Sequence, residues 1–150
     1  MDKLTIKNRK SDIEAMLNCF NKAIEKKTQS VEHYASSGVF GQMFYDNENE
    51  LLSIAVQCRD NMSFIYDVLD NKLLESEIIP SNNTSSFYSP RKISLLEIGK
   101  YRTEIIRIKK DFDSLVWYSR ISGSTERESF FKDCVSKLNY VYSNIAKLAK

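Results

Sequence analysis

Residues 51–73 read LLSIAVQCRDNMSFIYDVLDNKL, and the spacing of their apolar side chains decides the fold class. These side chains recur every three or four positions and therefore fall on one face of an α-helix. They are Leu51, Ala55, Cys58, Met62, Ile65, Leu69 and Leu73. Pro80 ends the pattern because proline lacks the backbone N–H that a helix interior needs. The stretch predicts an amphipathic helix over residues 47–78, whose apolar face needs other elements to cover it.

Three further segments show the same apolar period and carry signals for a helix start. They cover residues 12–36, 90–121 and 125–149. The pairs Ser11–Glu14 and Thr125–Glu128 match the capping box, in which two side chains satisfy free backbone N–H groups. The pair Ser89–Pro90 places proline at the first helical position, where its missing N–H is not needed. The sequence therefore predicts four long helices.

The segments between the predicted helices are polar and rich in turn-forming residues. Residues 80–89 predict an inter-helix loop, and residues 122–124 predict a tight turn. Residues 1–10 carry four basic side chains and predict a flexible basic N-terminal segment. No run shows the alternation of a β-strand. These features predict an all-α antiparallel four-helix bundle that forms a single domain over residues 1–150.

The composition narrows the class of protein further. Hydrophobic residues make up 42% of the 150 residues, enough for one core, and the formal net charge is +2. This charge is too small to indicate a general nucleic-acid or membrane binder. No apolar run approaches the roughly 18–20 residues of a membrane span, and no apolar stretch typical of a secretory signal follows the basic start. Three cysteines without a CxxC pair are typical of a reducing compartment, so we predict a cytoplasmic protein without a membrane partner.

The residue inventory argues against most enzyme chemistries. His33 is the only histidine, whereas a di-iron bundle uses a Glu-x-x-His motif on each of two helices. Zinc sites built from several histidines or clustered cysteines are excluded by the same count. The sequence also lacks the glycine-rich motifs that bind phosphates or present a nucleophilic serine. We therefore expect no metal, no cofactor and no catalytic residue, and the sequence favours a protein that is not an enzyme.

The third predicted helix carries apolar residues on two faces. Opposite its core stripe lie Ile106 and Trp117, with Arg107 and Lys110 beside them. An exposed tryptophan bordered by basic side chains is typical of an interface hot spot. The alternative explanation is that a helix with two bundle neighbours needs a wide apolar face. We predict a protein–protein interaction module (an adaptor, inhibitor, immunity protein or chaperone-like regulator) that binds another protein or a second copy of itself through this surface.

Two alternative functions remain open. The first is a nucleic-acid-acting protein, in which Arg102, Lys109 and Arg120 contact phosphates along one ridge or His33 serves a ribonuclease-like reaction. One observation argues against nucleic-acid binding by this ridge: residues 38–79 carry eight acidic side chains and only two basic ones. We expect this acidic second helix to lie beside the ridge and to neutralise its charge. The second alternative is a homo-oligomeric structural subunit.

Overall fold

The computed structural model describes residues 1–75 and 95–149, which form four long helices and no strand. The helices are α1 (Lys3–Ala35), α2 (Gln42–Glu75), α3 (Leu95–Ile121) and α4 (Thr125–Asn144). A short 3-10 turn, Val39–Gly41, joins α1 to α2, and another, Ile145–Ala149, follows α4. The prediction of an all-α four-helix bundle is confirmed.

The order of the helices around the bundle is α1, α2, α4, α3. Lys10 of α1 pairs with Asp70 of α2 at 2.6 Å, and Lys27 pairs with Glu48 at 2.9 Å. Residue numbers therefore rise along α1 while they fall along α2, so these two helices are antiparallel. They form the most extensive interface of the bundle.

The other interfaces show that every pair of neighbours is antiparallel. On the α1–α3 side, Arg9 bonds Asp111 at 2.8 Å, and the Cys19 thiol shares a hydrogen bond with the Tyr101 hydroxyl at 3.0 Å. Since α1 runs opposite to both α2 and α3, those two helices run in the same direction on opposite corners of the bundle. The last residue of α2 and the first described residue of α3 consequently lie at opposite ends.

Most of the predicted apolar stripe of α2 lies in the core: Ala55, Cys58, Met62, Ile65 and Leu69 are buried, whereas Leu51 is half-buried. The largest fully buried side chains are Phe20, Phe112, Ile13, Met16, Met62, Ile65, Leu69, Ile105, Ile108, Leu138, Ile145 and Val141. All four helices contribute to this set. Burying one such side chain stabilises the fold by roughly 1.5–3 kcal/mol, so these stripes dominate the stability of the bundle.

The first helix begins nine residues earlier than the Ser11–Glu14 signal predicts, which corrects the expectation of a flexible segment over residues 1–10. The Asp2 side chain caps α1 by accepting a hydrogen bond from the backbone N–H of Thr5 at 2.7 Å. Ile6 and Lys10 are buried. The ammonium group of Lys10 also lies 5.0 Å from the centre of the Tyr66 ring on α2. These contacts with a distant part of the chain extend the helix.

The starts of the other helices also differ from the sequence signals. Helix α2 begins at Gln42, five residues before the predicted start. Helix α4 is capped by Ser124, whose hydroxyl accepts from the backbone N–H of Arg127 at 3.4 Å, instead of by Thr125. The predicted loop over residues 80–89 and the pair Ser89–Pro90 lie outside the described residues.

The acidic second helix does not lie beside the basic ridge of the third. Helix α2 packs against α1 and α4, and α3 packs against the same two helices from the opposite corner. The expected neutralisation of Arg102, Lys109 and Arg120 by α2 is therefore wrong. Periodicity defines which face of each helix is buried, but it does not define which helices are neighbours.

Buried charge marks the interface between α1 and α3. Glu104 of α3 is only 7% exposed, and its Oε2 atom accepts no hydrogen bond. Its Oε1 atom lies 4.0 Å from the Lys100 ammonium group. Burial, together with the nearby Asp12 carboxylate of α1, raises the pKa of Glu104. Burial also raises the pKa of Asp12. This interface thus holds two carboxylates whose charged forms are disfavoured.

We expect Glu104→Gln to raise the free energy of unfolding at pH 7 by about 1 kcal/mol, because it removes a buried, incompletely paired charge. A carboxyl whose pKa is higher in the folded state destabilises the fold above that pKa. The wild-type protein therefore gains stability as pH falls from 7 through the folded pKa towards 4.5, and its difference from the variant shrinks. Urea unfolding followed by circular dichroism at several pH values measures this.

The control for this measurement is Glu25→Gln, which changes an exposed carboxylate on α1. It should leave the free energy of unfolding within about 0.5 kcal/mol of the wild-type value. A Glu104→Gln variant that is less stable than wild type at pH 7 would contradict the prediction, since it would mean that the ion pair with Lys100 outweighs the burial of the charge.

Candidate functional site

The outer face of α3 is the surface on which the structure places Ile106 and Trp117. Helix α3 packs against α1 on one side and α4 on the other, so its third side faces solvent. At 100° per residue, Ile106, Lys110 and Trp117 all project within about 20° of the direction opposite the buried Ile108. Ile106 is 38% exposed and Trp117 is 55% exposed. Neither side chain is needed to fill the core.

The exposed apolar surface continues past Trp117 towards the end of α3. Tyr118 is 64% exposed and Ile121 is 63% exposed. The rings of Trp117 and Tyr118 lie edge to face, with 5.2 Å between their centres. Neither Tyr118 nor Ile121 was predicted from the sequence as part of this surface. The four-residue step from Trp117 to Ile121 does place those two side chains on one helix face.

Charged side chains lie among these apolar residues. Lys110 and Asp113 are exposed, and neither forms an ion pair with the part of the chain that the structure describes. Arg107 is also exposed but lies nearer α1, where its charge acts on Asp12 and Glu104. We define the α3 outer face as Ile106, Lys110, Asp113, Trp117 and Ile121.

The residues of the proposed nucleic-acid ridge turn towards α4. The guanidinium of Arg102 stacks on Tyr142, 4.2 Å from the ring centre. Arg120 donates from Nε to Glu128 at 2.8 Å, and this contact lowers the pKa of the Glu128 carboxyl. Lys109 is half-buried. The three basic groups therefore do not form a row of fully solvated cations.

His33 is not brought near that ridge. It lies in the last turn of α1, with its ring 5.3 Å from that of Tyr34. Arg102 is next in sequence to Tyr101, which contacts Cys19, so His33 lies about 21 Å further along the bundle axis. The structure keeps the histidine and the ridge apart.

One cavity at an end of the bundle is lined by apolar side chains alone. A cavity of about 170 Å³ lies where α1 begins and α3 ends, and only apolar side chains line it, Met1, Phe112 and Phe131 among them. Within residues 1–75 and 95–149, no group of three His, Cys, Asp or Glu side chains is placed to hold a metal ion. A cavity without polar groups cannot orient a polar substrate.

A second exposed apolar surface lies at the turn between α1 and α2. Val39 is 89% exposed and Met43 is 82% exposed. Phe44 is also exposed and stacks on Tyr34 with 5.3 Å between ring centres. This surface was not predicted from the sequence. The signal that could have found it is the absence of any charged side chain from Tyr34 to Tyr45.

Comparison of the chain with protein-family models, with curated proteins and with solved structures found no match. Among the helices described, none combines the length and apolarity that crossing a bilayer requires.

The three thiols should differ in reactivity, because only the thiolate form is nucleophilic. Burial raises the pKa of Cys58 to about 12 and that of Cys134 to about 11, whereas Cys19 is only half-buried. With Ellman's reagent on the native protein at pH 8, we expect at most one thiol, Cys19, to react before unfolding. Cys19→Ser should abolish this reaction, and two thiols that react rapidly in that variant would contradict the assignment.

Proposed function

We propose that this protein is a non-enzymatic protein–protein interaction module that binds a protein partner through the α3 outer face. The observation that supports this most directly is the exposure of Trp117 and Ile106 on one line of a helix whose own core stripe is fully buried. Contact with a partner would remove this apolar surface from water, which is the main favourable term in most protein association.

The composition of the α3 outer face suits an interface hot spot. Tryptophan is enriched at such positions because its large rigid side chain buries much surface with few rotatable bonds. Ile106 and Ile121 would border the tryptophan within the buried centre. Lys110, with Arg107 at the flank, would lie at the rim, where charge accelerates the encounter and selects the partner more than it adds affinity.

The nucleic-acid alternative has weaker support in the geometry. Binding to phosphates requires basic side chains that are free to replace counterions, and Arg102 and Arg120 already contact Tyr142 and Glu128. His33 lies about 21 Å from Arg102 along the bundle axis, so the histidine and the ridge do not form one site. A protein partner is therefore better supported than a nucleic-acid ligand.

We expect Trp117→Ala to weaken binding to a protein partner by about 2 kcal/mol, roughly 30-fold in Kd, because the central aromatic anchor is lost. A partner captured on the immobilised wild-type chain, identified and purified, would be titrated against both forms by calorimetry. Circular dichroism would verify that the variant keeps its helices, as the exposed position of the side chain predicts.

Phe44→Ala is the matched control, since it removes an exposed aromatic side chain at the α1–α2 turn. It should leave the Kd unchanged. A Trp117→Ala variant that binds the partner as tightly as wild type would refute the proposal. Loss of binding in the Phe44→Ala variant alone would assign the interaction to the α1–α2 turn instead.

A further inference from the structure

The spacing of residues on the α3 outer face identifies a partner. We infer that this face binds the same face of a second copy of the chain, with the two α3 helices antiparallel and related by a two-fold axis. In the inferred dimer, Ile106 lies opposite Trp117 of the second copy and Lys110 lies opposite Asp113. This inference rests on the proposed function, because it names the partner of the same surface.

One register satisfies both the apolar and the charged contacts. Ile106 and Lys110 are four residues apart, as are Asp113 and Trp117. In an antiparallel pair, residue numbers on facing positions have a constant sum, so the register that pairs Ile106 with Trp117 also pairs Lys110 with Asp113. The two-fold axis repeats each contact. The dimer therefore buries two tryptophan–isoleucine pairs and forms two ion pairs between exposed charges that have no ion-pair partner within the described chain.

Charge disfavours the other ways of pairing these helices. A parallel arrangement places Lys110 opposite Lys110 and Asp113 opposite Asp113, and like charges in direct contact are destabilising. An antiparallel register that places Arg107 opposite Lys109 brings the basic side chains of both copies together at the axis. Of these three arrangements, only the inferred register places opposite charges and apolar side chains in contact at the same time.

The size of the contact indicates a reversible dimer. In this register the two helices overlap over residues 102–121, about 30 Å. An interface one helix wide falls near or below the roughly 1,200 Å² of total buried area at the lower end of stable complexes. The two-fold axis uses the same surface on both copies, so the assembly closes at two chains and does not extend into a filament.

The test reverses one charge at a time. Lys110→Glu would face Asp113 of the second copy, and Asp113→Lys would face Lys110, so each single variant should dimerise about tenfold or more weakly than wild type. In an equimolar mixture of the two variants, every facing pair is again of opposite charge. We expect this mixture to regain heterodimers to within about threefold of the wild-type affinity, measured by sedimentation equilibrium.

Changes within a single helix cannot produce this rescue by mixing, because each chain still carries its own single substitution. Lys26→Glu, which reverses an exposed charge on α1, is the control and should leave dimerisation unchanged. Circular dichroism should give the same helix content for all these variants, since both positions are exposed. Trp117→Ala provides an independent variant that removes the apolar contact and should abolish the dimer.

Several results would overturn the inference. These are a wild-type protein that stays monomeric at the highest soluble concentration, single variants that dimerise as wild type does, or a mixture that dimerises no better than its components. If the protein is monomeric and Trp117→Ala still abolishes binding of a different protein, the proposed function stands and the inference is wrong. If Trp117→Ala affects neither self-association nor the binding of any partner, the proposed function is wrong as well.

Discussion

Burial of one apolar stripe on each helix between two antiparallel neighbours is the constraint on which the rest of the structure depends. It places side chains such as Phe20, Met62, Phe112 and Leu138 in the core, where they are fully buried. It also leaves one side of each helix in water. Apolar residues on that remaining side contribute nothing to the core, so Trp117, more than half exposed, gains its full free energy of burial only from a contact beyond those of the described residues.

The four sides of the bundle are not equivalent. Helices α1 and α2 share the most extensive contact, whereas α1 and α3 pack less extensively and place Asp12, Glu104 and the Arg9–Asp111 ion pair between them. The Arg9–Asp111 pair is partly buried, so the desolvation of both groups offsets part of their attraction, and a buried carboxylate without full pairing is unfavourable. The α1–α3 side is therefore the least stabilised side of the bundle, and the α3 outer face lies directly beside it.

Periodicity was sufficient to predict the four helices, their core stripes and the outward position of Ile106 and Trp117, because each of these depends only on spacing within one helix. The start of α1 was not predictable in this way. Asp2 caps it, and Lys10 is buried because Asp70 and Tyr66 of α2 lie opposite, which is a long-range contact. Which helices are neighbours in the bundle was equally unpredictable from periodicity. Arg107 proved to lie towards α1, and the ridge of Arg102 and Arg120 proved to face α4 and not the acidic α2.

The antiparallel order of the bundle has a consequence for its electric field. At one end lie the N-termini of α1 and α4 with the C-termini of α2 and α3, and at the other end the assignment is reversed. Each helix carries about half a positive charge at its N-terminus and half a negative charge at its C-terminus. These macrodipoles largely cancel at a distance, so neither end attracts ions over a long range through the backbone. Long-range attraction to any other molecule must then come from side-chain charges along the flanks of the helices.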